Sequence, residues 1–151
     1  MLHAVGMSEP IHLADARAQR PDVSWASLKP ERAERVRPLT DGLGVRGLGI
    51  NLFTLQPGHA GRIHRHRRQE EIYVVLQGRL TVTVEGQSYF ADAEEVVRIA
   101  SAVRRQISND GPGVCVFLAL GVVGEHRRGD AEAFSSWEDM TPRSPRDVPQ
   151  R

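Results

Sequence analysis

The chain has 151 residues, 40% of them hydrophobic, and its 20 basic and 19 acidic side chains give a formal net charge of +1. This length suits one domain, which should bury roughly 70% of the surface of the unfolded chain. A nearly neutral chain is not expected to bind nucleic acid through its overall charge. We also expect no membrane partner, because no run approaches about 20 apolar residues and the first ten residues lack a signal-peptide core.

The sequence divides into three regions. Residues 1–45 form a mixed N-terminal segment in which prolines interrupt any long helix, and we expect it to pack on or extend the central domain. Within it, residues 33–39 could form a short helix or an edge strand. Residues 46–123 form the central β domain. In the C-terminal segment, 124–151, we expect a helical turn at 130–134 and a proline-containing tail, so that the segment is partly disordered.

The central domain is rich in short runs with strand character. Turn-forming residues separate these runs at positions 56–58, 85–86 and 109–111. Many short strands between such turns predict an all-β sandwich or barrel. The eight predicted strands are 48–56, 62–66, 71–77, 80–85, 87–91, 96–99, 104–108 and 114–122.

The stretch GHAGRIHRHRRQEEIYVVLQG, residues 58–78, contains the strongest functional signal. His64 and His66 are two positions apart on a predicted strand, so both imidazoles point the same way. A tight connection can bring Glu71 opposite them, which would complete a pocket with three metal ligands. Glu70 is a rival for the acidic role, but only Glu71 lies seven positions before Gly78, which is the spacing in the motif described next. The alternative is a polar loop with two solvated histidines.

This stretch resembles the first motif of the cupin superfamily, GxxxxxHxHxxxxExxxxxxG, in which these residues hold a metal inside a small β-barrel. The resemblance covers residues 48–122. It implies an all-β fold with one cupin-like jelly-roll barrel per chain. It also implies a divalent metal ion (Fe, Mn, Zn or Ni) on His64, His66 and Glu71, and a homodimer that pairs through its sheets.

The second motif of the superfamily, GxxxxxPxGxxHxxxN, is only partly present. When the chain is aligned at Asn109 it reads EEVVRIASAVRRQISN, and Arg105 replaces the histidine that would be the fourth ligand. A guanidinium stays protonated and has no lone pair to donate. Its charge at about 5 Å from a divalent ion would cost roughly 7 kcal/mol at an effective dielectric of about 20.

Arg105 leaves two hypotheses open. In the first, His64, His66 and Glu71 hold a metal while water or substrate fills the open positions. In the second, the pocket contains no metal, and Arg105 neutralises Glu71 or binds an anionic ligand. A buried ion pair between Arg105 and Glu71 without any ligand is the purely structural alternative.

Other side chains have narrower roles. Tyr73 shares the Glu71 face, so it is either a proton donor in the pocket or a core aromatic. The strand at 71–77 is apolar on both faces, so its outer face needs a second sheet, the N-terminal segment or another subunit. The lone Cys115 is predicted to be a core thiol, which excludes an internal disulfide and suggests a reducing cytoplasm. The basic residues Arg62, Arg65, Arg67 and Arg68 form either a solvated turn or a surface that attracts anions.

Three functions remain open. The first is a metal-dependent enzyme for a small molecule, of dioxygenase, isomerase or decarboxylase type. The second is a noncatalytic binding or sensor domain that holds an anionic small molecule through Arg105. The third is a metal-free epimerase-like enzyme with a motif histidine as base and Tyr73 as acid. The remaining histidines, His3, His12, His59 and His126, are poor candidates for a replacement ligand.

Overall fold

A computed structural model of the chain describes residues 9–16, 22–29, 35–122 and 129–150. Two short helices, α1 (Leu13–Ala16) and α2 (Thr40–Leu43), lie in the N-terminal segment, and a 3-10 turn (Pro145–Asp147) lies near the C-terminus. The strands are β1 (Val36–Pro38), β2 (Leu48–Leu55), β3 (Ile63–His66), β4 (Glu70–Gln77), β5 (Arg79–Val84), β6 (Gln87–Asp92), β7 (Val96–Ile99), β8 (Arg105–Ser108), β9 (Cys115–Val122) and β10 (Ala131–Phe134).

The strands form two five-stranded antiparallel sheets. The first sheet has the order β1-β2-β9-β4-β7 and the second has the order β10-β3-β8-β5-β6. Neighbours in each sheet are mostly distant in sequence, as in a jelly roll, where the chain passes repeatedly between the two sheets. The predicted all-β jelly-roll fold is confirmed.

The main apolar core lies between the two sheets. Tyr73 and Val75 of β4, Val82 of β5 and Phe117 of β9 are all buried, and the Tyr73 ring meets the Phe117 ring edge-on at 5.6 Å. Along β4 the buried Tyr73 and Val75 alternate with more exposed positions, as expected for a strand with one face toward a core. Cys115 belongs to the same cluster and has no exposed surface, which confirms the predicted core thiol. Burial raises the pKa of this thiol to about 11, so it is not an activated nucleophile.

All eight predicted strands are present, with ends that differ by at most two residues. The ambiguous stretch before Leu39 contains β1, which pairs with β2 at the edge of the first sheet, so the strand interpretation holds for residues 36–38. Residues 33 and 34 lie outside the described part of the chain. The helical turn predicted at 130–134 is wrong, because Ala131–Phe134 forms β10 and pairs antiparallel with β3. Backbone pairing with a distant strand overrides the weak local preference of this short segment.

The outer face of the first sheet is covered on one side only. Leu39 packs with Leu52 and Val116 in a second cluster, to which Ala26 and Leu43 of the N-terminal segment add partly buried side chains. On the other side, around β4 and β7, Leu76 is 39% exposed and Val96 is 65% exposed. The described part of the N-terminal segment therefore covers the outer face near Leu52 and Val116.

The C-terminal segment folds back onto the second sheet. After β10, Arg143 exchanges two backbone hydrogen bonds with Ala133, and Val148 is buried. The predicted boundary between the domain and this segment, at 123–124, falls in a part of the chain outside the described residues. None of the described helices is long and apolar enough to cross a membrane.

Candidate metal centre

The short connection between β3 and β4 builds the site. It carries the chain from the second sheet to the first, so Glu71 faces His64 and His66 from the opposite sheet. The backbone N–H groups of Arg68 and Gln69 in this connection both donate to the Asp130 carboxylate, which holds the crossing in place. His64 lies opposite Arg105 of β8 in the second sheet.

The three predicted ligands converge. One donor atom from each of His64, His66 and Glu71 lies within 4.8 Å of the others. His66 Nε2 is 3.2 Å from Glu71 Oε1, and His64 Nε2 is 3.5 Å from Glu71 Oε2. Glu70, in contrast, forms an ion pair with Arg98 at 2.6 Å on the outside of the sheet. The structure therefore places Glu71, and not Glu70, with the histidines.

The back of each imidazole faces an acceptor. His64 Nδ1 is 3.0 Å from the Arg62 carbonyl oxygen, and His66 Nδ1 is 3.4 Å from Asp130 Oδ2. Each acceptor favours a proton on Nδ1, so in the neutral rings the Nε2 lone pairs point toward Glu71. Metal-binding histidines are commonly oriented by a carbonyl or a carboxylate in this way.

The front of the imidazoles faces the Glu71 carboxylate. Both ring nitrogens of His66 are buried, and neither contact with a carboxylate has the geometry of a hydrogen bond. Lone pairs of two imidazoles that face a carboxylate repel one another unless protons or a metal ion lie between them. Two nitrogen donors and one oxygen donor suit a divalent transition metal. These residues therefore fit a bound metal ion.

Glu71 is ionised and its two oxygens have different partners. Burial raises the pKa of its carboxyl, but the facing His64 and His66 outweigh this and hold the pKa well below 4.5. Oε2 accepts from the Tyr73 hydroxyl at 2.7 Å and from Arg105 Nε at 3.1 Å. Oε1 accepts from neither residue, so it is the oxygen available to a metal.

Arg105 is fully buried behind Glu71. Its Nη1 donates to the carbonyl oxygens of Ser101 at 3.0 Å and Val103 at 2.6 Å, and its Nε donates to Glu71. The guanidinium does not line the cavity next to the histidines. The structure thus contains the ion pair between Arg105 and Glu71, while Nη2 of Arg105 is buried without a hydrogen-bond partner among the described residues.

Tyr73 is buried and does line that cavity. Burial first, and then the negative charge of Glu71, raise the pKa of its hydroxyl well above 10. The phenol therefore stays protonated and donates its proton to Glu71. Its observed contact orients Glu71, whereas donation to a ligand would need that hydrogen bond to be exchanged.

The cavity that contains the three candidate ligands has a volume of about 230 Å³. Apolar side chains of Phe53, Ile107 and Ala119 form much of its wall, and Pro145 and Gln150 of the C-terminal segment also line it. Drug-sized ligands usually occupy cavities of roughly 300 Å³ or more. The volume of this cavity therefore suits a ligand smaller than a typical drug molecule.

Comparison with known proteins agrees with this geometry. The model of the Cupin domain family matches residues 51–121. The chain belongs to the cupin superfamily. This cupin is 30% identical over 74 residues to the HTH-type transcriptional regulator PuuR of Escherichia coli, a match that covers 49% of the chain and 40% of the regulator. The chain therefore spans less than half the length of that curated relative.

Solved structures of other cupins are also similar. A candidate sugar phosphate isomerase from Acidithiobacillus ferrooxidans is 34% identical with a TM-score of 0.53, over 57% of this chain and 56% of that one. A cupin protein from Bacteroides fragilis is 26% identical with a TM-score of 0.59, over 72% of this chain and 90% of that one.

Two residues of the cupin site were not predicted from the sequence. Asp130 reaches His66 only because β10 pairs with β3, and the segment that contains it was expected to turn as a helix. Arg62 lines the cavity, although its basic neighbours suggested a solvated turn. That interpretation suits Arg65 and Arg67, which pair with Glu132 of β10. Of the histidines predicted to be poor replacement ligands, His3 and His126 lie outside the described residues. His59 accepts a hydrogen bond from the Gln56 backbone N–H in a turn.

Proposed function

We propose that this cupin binds a divalent metal ion through His64, His66 and Glu71 and is an enzyme that acts on a small molecule, of isomerase type. One observation carries the proposal: two oriented imidazoles and one ionised carboxylate converge from opposite sheets on a small, largely apolar cavity. A bound ion would supply Lewis-acid chemistry to an oxygen of the substrate.

The side chains around Glu71 support this arrangement. Tyr73 and Arg105 both bind Oε2, so they hold the carboxylate with Oε1 toward His66. Arg105 cancels the charge of Glu71 and should weaken metal binding. Asp130 behind His66 adds a second negative charge near the site, which offsets part of that repulsion. With the positive charge of Arg105 partly offset by Asp130, we expect a metal site that is functional but weaker than one with four protein ligands.

The ligand set limits the metal and the chemistry. Two imidazoles and one carboxylate with open positions suit Fe, Mn, Zn or Ni, and such sites serve both isomerases and oxygenases. We favour the isomerase type because the similar protein from Acidithiobacillus ferrooxidans is described as a candidate sugar phosphate isomerase. A dioxygenase would use the same three ligands and would be distinguished by consumption of oxygen.

Metal analysis tests the proposal. Protein purified without chelator should contain about one ion per chain, and a His64→Ala, His66→Ala double variant should lose it, because two of three donors are gone. A His12→Ala variant is the control, since His12 is exposed and lies against Trp25, away from the cavity. Equal metal content in the double variant and the control would contradict the proposal.

A noncatalytic ligand-binding domain is the second candidate. Similarity to the regulator PuuR favours it. Neither α-helix in the described part of the chain exceeds four residues, so that part contains no helix-turn-helix for reading DNA. A sensor would bind its small molecule without converting it, whereas an enzyme of isomerase type would show turnover that depends on the metal and disappears in the double variant.

We also propose that this cupin pairs with a second copy through an apolar outer face. The outer face of β4 and β7 presents Leu76 and Val96, which the N-terminal segment leaves exposed. A homodimer through this face would bury these side chains and gain hydrophobic free energy.

A further inference from the structure

Arg62 shares the cavity with the candidate metal ligands. It precedes β3 by one residue, and positions 62, 64 and 66 lie on one face of an extended chain. Two residues of a strand span about 6.7 Å, so Arg62 lies one such step from His64 along the wall of the cavity. Its Nε donates to the Val148 carbonyl oxygen, which anchors the side chain against the C-terminal segment.

The charge of Arg62 is not balanced by a described acid. No carboxylate among the described residues forms an ion pair with Arg62 or with Arg35, although other arginines near the site have such partners. Arg35 donates from Nη2 to the Ala60 carbonyl oxygen at 2.6 Å, a neutral acceptor. Carbonyl contacts therefore position both guanidinium groups but do not neutralise them.

Arg35 is anchored at the carbonyl of Ala60, two residues before Arg62, and the two positive charges interact. Burial first, and then the positive charge of Arg62, lower the pKa of Arg35. Two like charges held together are unfavourable unless a negative group joins them. A guanidinium binds carboxylate and phosphate well because its planar donors match two oxygens at once.

We propose that Arg62, which lines the cavity, forms an anion-binding end there, and that Arg35 adds a second positive charge from outside the lining. The inference rests on the proposed function and specifies its substrate class: a small molecule with a carboxylate or phosphate group at the Arg62 end of the cavity and an oxygen at the metal site. Arg62 takes the anion-binding role that was one hypothesis for Arg105, because Arg62 lines the cavity and Arg105 does not.

Calorimetry with inorganic phosphate and with acetate tests this inference on the full chain. Arg62→Gln should weaken binding of the preferred anion about tenfold, and Arg35→Gln several-fold, because each removes one cation from the site. Arg62→Lys should retain affinity within about threefold, since the charge remains. The control Arg67→Gln removes the same charge from a side chain that is 66% exposed and outside this cavity, and it should have less than about a twofold effect.

Metal content is measured on the same samples, which separates the two proposals. If the wild type binds metal and Arg62→Gln binds anions as tightly as Arg67→Gln, the anion site is wrong and the metal site stands. If the wild type binds no metal but loses anion binding in Arg62→Gln, the proposed function fails and the anion site stands. A wild type that binds neither phosphate nor acetate overturns the anion site. Tighter binding of one probe identifies phosphate or carboxylate as the recognised group.

Discussion

At the scale of single residues, Arg105 is the main departure from a metal site with four protein ligands. Its guanidinium has no exposed surface and is bound to Glu71 and two backbone carbonyls, so it is an integral part of the fold. Loss of one partner from a buried ion pair typically costs about 3–5 kcal/mol. Arg105 therefore stabilises the barrel while it weakens the site for a cation.

Replacing Arg105 should strengthen metal binding. Arg105→His removes the positive charge and adds a nitrogen donor opposite His64, so we expect at least about a tenfold gain in metal affinity over the wild type. Arg105→Leu is the matched control, since it removes the charge without adding a donor. Competition with a chromogenic chelator would measure both affinities. Equal affinities for the two variants would show that position 105 does not reach the metal.

Glu71 should make stability depend on pH in the acid range. Because its pKa in the folded protein lies well below 4.5, the ionised carboxylate stabilises the fold above that value, and this contribution is lost as the pH falls from 4.5 through the lower folded pKa. The difference in free energy of unfolding between wild type and Glu71→Gln should therefore shrink from pH 5 to pH 3, as followed by urea titration. Glu138→Gln, which removes an exposed carboxylate, should differ little from wild type across this range. A constant or growing difference for Glu71→Gln would contradict the low pKa.

At the scale of elements, the strands of the barrel could be predicted from sequence because their signals are local. Turn residues separate short apolar runs, and Val96–Ile99 has the same bounds in the prediction and in the structure. The motif likewise predicted the convergence of His64, His66 and Glu71. Asp130 could not be predicted, because it reaches the backbone of Arg68 across 62 positions and depends on the pairing of β10 with β3.

The turn between β4 and β5 depends on Gly78. This residue has φ +74°, and a Cβ there would lie 2.3 Å from the Val114 carbonyl oxygen. Gly78→Ala should therefore destabilise the protein by more than about 2 kcal/mol, from the left-handed backbone and the clash together. Gly86→Ala has a similar φ of +86° with nothing near the added methyl, so it should cost only about 1 kcal/mol. Urea unfolding would measure both, and equal costs would show that the close approach at Gly78 is not significant.

At the scale of the whole molecule, one barrel carries both the site and an apolar outer face. The face at β4 and β7 is on the opposite side of the first sheet from the cavity, so pairing there would leave access to the site unchanged. The cytoplasmic location stays a prediction.

Light scattering with size-exclusion chromatography tests the proposed dimer. Val96→Arg places a charge on β7 at a side chain that is 65% exposed, and it should convert a dimer to a monomer without unfolding the chain. Val36→Arg, at the opposite edge of the same sheet, should leave the dimer intact. A wild-type monomer, or loss of the dimer only in Val36→Arg, would rule out this interface.

The metal site itself is tested most directly by anomalous diffraction from crystals of the protein purified without chelator. The account predicts one anomalous peak within bonding distance of His64 Nε2, His66 Nε2 and Glu71 Oε1, measured at the absorption edge of the metal found by elemental analysis. A site without that peak in crystals of metal-containing protein, or a peak bound by other residues, would contradict it.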